Sequence, residues 1–161
     1  MKFLLWAIVP LTLLAVGLIG AGQAGYLAGQ TPDVLGVHDG RLAAPSRTPN
    51  SVSSQADLYP GHPQQDYARI APLRFTGDGR AALARLATLL KQMDRSRVVI
   101  ERPDYLYVQF QTTWLRFVDD AEFWLDPVDG VIQLRSASRL GEGDLGQNRK
   151  RIEQIRKRFS Q

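Results

Sequence analysis

Residues 114–140 read WLRFVDDAEFWLDPVDGVIQLRSASRL, and the way this stretch pairs with itself decides the fold. Pro127-Val128-Asp129-Gly130 is a four-residue hairpin loop with glycine where a left-handed backbone is needed. Side chains alternate between faces along a strand, so a slip of one residue would exchange core and solvent sides. Placing Asp126 opposite Val131 sets Leu125 against Ile132, Phe123 against Leu134 and Phe117 against Leu140 on one side, the core side. On the other side Glu122 falls opposite Arg135, with Asp120 within diagonal reach of Arg135 and Arg139. Read alone, this is a solvated cross-strand pair worth roughly 0.2–1 kcal/mol. The same register puts Asp119, Ser136 and Ser138 on the core side, where an unpaired carboxylate is costly. Either the three hydrogen-bond one another, or Val118-Asp119-Asp120 is a tight turn whose carboxylates accept backbone N–H groups. If the strand continues, Asp119 beside two hydroxyls and nearby arginines is the best candidate for a ligand-recognition cluster.

Upstream, RVVIERPDYLYVQF is a second predicted hairpin, turning at Arg102-Pro103-Asp104. RIAPLRF is a strand candidate, and Asp78 or Thr76 caps a helix with apolar positions Leu83, Leu86, Leu90 and Met93. Downstream, a helix from about Gln147 carries a narrow stripe of Ile152, Ile155 and Phe159, capped by Asp144 or Asn148. The order of elements predicts an α+β domain over residues 69–161: an antiparallel sheet of four to five strands with two helices packed on it.

Residues 26–68 contain five prolines, many Gly, Ser and Gln, and no apolar periodicity. By composition they are a linker or an extended wrap, and one this long is either flexible or held down. Before them, residues 3–21 are continuously apolar, and no charge falls between Lys2 and Asp33. That run exceeds a usual signal-peptide core and approaches the roughly 17–25 residues of a span. Residues 1–25 therefore read as one N-terminal transmembrane helix, with Trp6 and Tyr26 at the two interfaces. The competing reading is a signal segment cleaved near Gly22-Gln23-Ala24. Lys2 precedes the segment and the next cation is Arg41, which puts the N-terminus in the cytoplasm and the rest in the periplasm of a bacterial inner membrane. Gly17, Ala21 and Gly25 are spaced for helix packing, but small residues are common in such segments.

Composition excludes some chemistry. The 161 residues include no cysteine, so thiolate catalysis and cysteine-ligated metals are ruled out. His38 and His62 lack ligand spacing, no Gly-x-Ser-x-Gly elbow is present, and neither metal nor cofactor is expected. A triad from Ser51, Ser53 or Ser54 with His62 is conceivable. So is an acid and base pair among Asp119, Asp120 and Glu122, although neighbouring arginines favour their charged forms. The net charge of +4 is concentrated at the end: residues 147–161 hold six Lys or Arg against Glu153 alone. That helix is either a solvated outer face or a contact to anionic lipid head groups through Arg149, Lys150, Arg156 and Lys157. Export argues against nucleic acid.

The stretches RTPNSVSSQA at 47–56, RFVDDAEF at 116–123 and RSASRLGEGDLGQNRKRIEQIR at 135–156 together resemble domain-of-unknown-function family 1499, over about residues 36–159. The resemblance implies an α+β domain often attached to a membrane anchor, and no established activity, substrate or cofactor. Its characteristic polar residues fall on Asn50, Ser53, Ser54 and Gln55; on Asp119, Asp120 and Glu122; and on Arg135, Ser136, Ser138, Arg139, Asp144, Asn148 and Arg149. Pro45 and Ser51 stand where many relatives have cysteines, which implies a dispensable disulfide. It also implies that Pro49 to Gln55 is ordered against the RSASR strand. The functional expectation is a non-enzymatic, membrane-anchored envelope domain that binds a lipid or small anionic ligand through these residues. The alternatives are an assembly partner of an inner-membrane complex and an envelope hydrolase using the acidic cluster.

Overall fold

The computed structural model describes residues 2–160, with side chains from Ile8 onward. Helix α1 spans Lys2–Gln23, strand β1 Ser51–Ser53 and the short helix α2 Gln65–Ala68. Helix α3, Gly79–Lys91, precedes strands β2 Ser96–Glu101, β3 Tyr105–Gln111, β4 Val118–Asp126 and β5 Val131–Ser138, and helix α4 is Gln147–Phe159. The strands form one antiparallel sheet in the order β1-β5-β4-β3-β2.

The hairpin register is the one that the apolar pattern requires: Asp126 pairs with Val131, Leu125 with Ile132, Phe123 with Leu134 and Glu122 with Arg135. On the inner face Leu125, Ile132, Phe123 and Leu134 join Leu106, Val108, Leu83, Leu86, Leu90, Ile152 and Ile155 in the main core beneath α3 and α4. Asp78 caps α3 by accepting the Ala81 N–H at 2.8 Å. Asp119 lies in strand, opposite Ser138, not in a turn. The expected Phe117 to Leu140 pair is absent, because β4 begins only at Val118, after Arg116 takes a φ of 56°. RIAPLRF is not a strand. Pro72 cannot donate to a ladder, and only isolated bridges at Arg69 and Leu73 attach this segment to β1 and β5.

The largest departure from expectation is the second face of the sheet. Residues 29–46 lie across it as a strap, so the polar side of the hairpin is not solvated. Asp39-Gly40, with φ of 51° and 73°, turns a small hairpin bridged by His38 and Arg41. Leu35, Val37 and Leu42 pack with Tyr105, Tyr107, Ile100 and Trp124 in a second apolar cluster. Gln55 holds the strap by accepting the Leu42 N–H at 2.8 Å and donating to Gly40 O at 3.2 Å. The adjoining Pro49 to Gln55 is equally ordered, since β1 pairs with Arg135, Ser136 and Ala137 of β5.

At the N-terminal end, Gln23 donates to the carbonyls of Thr113 and Trp114, and Arg116 donates to Gln23. A Cβ on Gly22 would meet Leu115 O at 2.5 Å, so the last turn of α1 abuts this loop. Among the described residues no helix is long and apolar enough to cross a membrane. The expected transmembrane helix is thus not found; part of it, residues 1–7, lies outside the described side chains.

If the strap belongs to the fold, Leu42→Ala should lower unfolding free energy by about 2–5 kcal/mol, as for a buried leucine in a core. A change near zero in chemical denaturation would mark residues 29–46 as a linker.

Candidate functional site

The residues expected to form one ligand site are divided by the sheet into two buried polar clusters. Asp120, Glu122, Arg135 and Arg139 meet beneath the strap. Asp119, Ser136, Ser138, Asp144 and Asn148 meet on the helix side. The cause is the strand alternation itself: Asp119 and Asp120 are adjacent in sequence and therefore face opposite ways.

Under the strap, Arg139 grips Asp120 with Nε to Oδ2 at 2.7 Å and NH2 to Oδ1 at 2.8 Å. The Tyr107 hydroxyl donates to Asp120 Oδ1 at 2.5 Å and accepts from Gln109 Nε2. Glu122 Oε1 accepts from the Tyr105 hydroxyl at 2.6 Å and from the Gly36 N–H of the strap at 2.7 Å. Among the described residues Glu122 Oε2 has no hydrogen-bond partner, and it faces Arg135 Nη1 at 3.9 Å. Arg135 Nε donates to the strap carbonyl of Ala44 at 3.0 Å. Both carboxylates are about 1% exposed, so the expectation of solvated pairs is corrected. Burial, ahead of the neighbouring Glu122 charge, lifts the Tyr105 hydroxyl far above its usual pKa, and burial with the Asp120 hydrogen bond lifts Tyr107. Burial pulls the Arg135 guanidinium down, against the opposing pull of Glu122 and Asp120. Two acid and base pairs out of water need their partners: removing one leaves an uncompensated buried charge.

On the helix side, Asn148 is the hub. Its Oδ1 accepts from Ser136 Oγ at 2.6 Å and Arg151 NH1 at 2.9 Å, while Nδ2 donates to Ser138 Oγ, Asp144 Oδ2 and Asn50 O. Asp144 accepts the N–H groups of Gly146 and Asn148 and the Tyr67 hydroxyl. It therefore serves the start of α4 from two residues outside the capping position, which Gly146 occupies with a φ of 76°. Burial alone would raise the Asp144 pKa, but these donors outweigh it and hold the carboxyl below its usual range. Asp119 does not bond Ser136 or Ser138 as expected. It pairs with Arg151 at 2.5 Å, whose guanidinium stacks on Phe110. Asn50 donates to Gly141 O at 2.8 Å, and Arg149 donates to the carbonyls of Tyr67 and Arg69.

The hydroxyls between the clusters are also engaged. Ser51 Oγ accepts from Ser46 N, Ser53 Oγ from Gln55 N, and Ser54 Oγ donates to Gln133 Oε1. His62 Nδ1 accepts from Gln64 N, so no serine triad is assembled. Among the described residues no group of three or more His, Asp or Glu is placed to hold a metal ion. Asp119 is on the wrong face to work with Asp120 and Glu122, and the last two are sealed by the strap.

A model described as "Protein of unknown function (DUF1499)" matches residues 41–159. The chain belongs to this family. No curated protein and no solved structure matches. The polar residues on which the resemblance to DUF1499 was read thus bond mainly to one another and to the main chain.

A groove of about 700 Å³ opens to solvent in the DUF1499 domain at the end of the sheet where α1 arrives. Its walls include Arg95, Thr112, Gln147, Lys150, Arg151 and Arg158. A second depression of about 320 Å³ shares Thr112, Gln147 and Arg151 and runs on to Phe117, Leu140 and Leu145. Among the described residues Arg95, Lys150 and Arg158 form no ion pair. Sequence reading singled out Lys150, yet missed Tyr105, Tyr107 and Arg151. The tyrosines were within reach, since two β-branched or aromatic runs in a hairpin put Tyr105 and Tyr107 on one face. Arg151 was also within reach, because it lies three residues after Asn148 on the same helical face.

Two outcomes follow. Arg139→Met is expected to destabilise by about 3–5 kcal/mol, and Arg139→Met with Asp120→Asn to recover most of that, in denaturant melts. For Asp144, the lowered pKa means the folded state holds fewer protons than the unfolded one. Its contribution is therefore complete above the ordinary value near 4 and is lost as pH falls below it. The stability gap between the native chain and Asp144→Asn should accordingly be widest near neutrality and narrow in acid.

Proposed function

We propose that this chain is a membrane-tethered, non-enzymatic domain of the cell envelope that binds an anionic lipid or other small anion in the groove along α4. The single observation that supports this most is the groove itself. Four cations line it against Asp94 alone, three of them carry no ion pair among the described residues, and the depression beside it adds Phe117, Leu140 and Leu145 to the already engaged Asp119 and Asp144. A charged head and an apolar tail have matching surroundings there. Arg135, Arg139 and Arg149 support the ligand site indirectly, because their guanidinium groups are already engaged by Glu122, Asp120 and main-chain carbonyls.

The tether reading rests on α1. Its side chains Leu11, Leu13, Leu14 and Val16 are uncovered by any other part of the protein, which suits hydrocarbon better than water. Of the cations on α4 considered for head-group contact, Arg156 is bound to the Ala71 and Pro72 carbonyls, while Lys150 and Lys157 are exposed. Arg135 lies beneath the strap, bound to the Ala44 carbonyl, and is not presented to an assembly partner.

Full-length chain in a non-ionic detergent should melt at a higher temperature with short-chain anionic phospholipids or with an anionic metabolite. Lys150→Glu combined with Arg158→Glu should remove that rise without lowering the basal melting temperature. No rise across a broad panel of anions, with folded protein, would contradict the proposal.

A further inference from the structure

Four features collect at one end of the sheet. The first is the junction with α1, where Gln23 bonds Thr113, Trp114 and Arg116, and Gly22 abuts Leu115. The uncovered apolar side chains of α1 therefore lead directly into the loop at 112–117 rather than through a flexible tether. The second is Trp114 in that loop, 69% exposed, its carbonyl held by Gln23 at the end of α1, with Tyr26 just after α1 also exposed. An aromatic ring in this position suits the boundary between head groups and hydrocarbon.

The third is Leu145. It is 99% exposed at the edge of the apolar depression and takes a φ of 51°. Leucine is disfavoured in that left-handed region. A sequence that accepts an unfavourable backbone in order to hold a leucine entirely in solvent points to a role for the side chain outside the domain. The fourth is charge: Arg116, Arg95 and Lys150 are exposed around the same end. Among the described residues the far end of the sheet, roughly 26 Å away at about 3.3 Å per residue along β4, carries the turn with Val128 and no such combination.

Resting on the tether reading above, we infer that this end of the domain seats on an anionic bilayer surface, with Trp114 and Leu145 entering the head-group layer. The groove along α4 then opens toward the membrane, and a lipid can reach it without crossing water. The occupant is a lipid surface because the patch is continuous with α1, mixes aromatic and aliphatic anchors, and carries Arg95, Arg116, Lys150 and Arg158 against the exposed Asp94 and Glu142.

The absence of cysteine lets one label be placed at will. Leu145→Cys, Trp114→Cys and, at the far end, Val128→Cys are made in the full-length chain, reconstituted into phosphatidylglycerol and phosphatidylcholine vesicles, and labelled with an environment-sensitive fluorophore. Leu145 and Val128 are both almost fully exposed, so both substitutions leave packing intact. The labels at 145 and 114 are expected to shift to the blue and to be quenched by iodide several-fold less than the label at 128. If the chain stays with the vesicles but all three labels are quenched alike, the seating is overturned while the tether stands. If the chain does not stay with the vesicles, both fail.

Discussion

The structure depends on four charges held out of water on the face of the sheet opposite the helices. Asp120 with Arg139 and Glu122 with Arg135 occupy the middle of the sheet, and each carboxylate also takes a tyrosine hydroxyl from β3. A lone buried carboxylate would cost several kcal/mol, so these groups are tolerated only as a complete set. The strap completes the set: Gly36 N–H donates to Glu122, Ala44 O accepts a hydrogen bond from Arg135, and Leu35, Val37 and Leu42 shut out water above the tyrosines. The sheet thus has two interiors, one apolar beneath the helices and one half ionic beneath the strap.

Much of this was legible in the residues. The Asp126 to Val131 register followed from apolar alternation because only one register keeps Leu125, Phe123, Ile132 and Leu134 together. The two long helices followed from their spacing and the Asp78 cap. What alternation does not reveal is whether a polar face meets water or another part of the chain; Glu122 opposite Arg135 reads the same in either case. The strap was hidden for a related reason. It has no periodicity, and its order comes from side chains such as Gln55 bonding its backbone and from three separated apolar residues. Only Asp39-Gly40 carried a local hairpin signal. RIAPLRF failed as a strand because Pro72 outweighs its apolar residues.

The polar residues that carried the family resemblance read as a recognition site in sequence and as an internal scaffold in the structure. Asn148 and Asp144 join β1, β5, α2 and the start of α4 through side-chain hydrogen bonds. Such a network favours a single arrangement of these elements more than it adds net stability. What it positions is the cationic groove and the end of the sheet beside α1, whose own side chains are comparatively free. The scaffold and the groove proposed to take a ligand are separate sets of residues, linked by Arg151, which pairs with Asp119 inside and lines the groove outside.

Native-state hydrogen exchange of the Gly36 and Leu42 amides tests the central claim most directly. If the strap is part of the structure that holds the buried charges, both should exchange only on global unfolding, as slowly as the amides shared by β4 and β5. Exchange at the rate of an unstructured peptide would show that the ionic face is open to water.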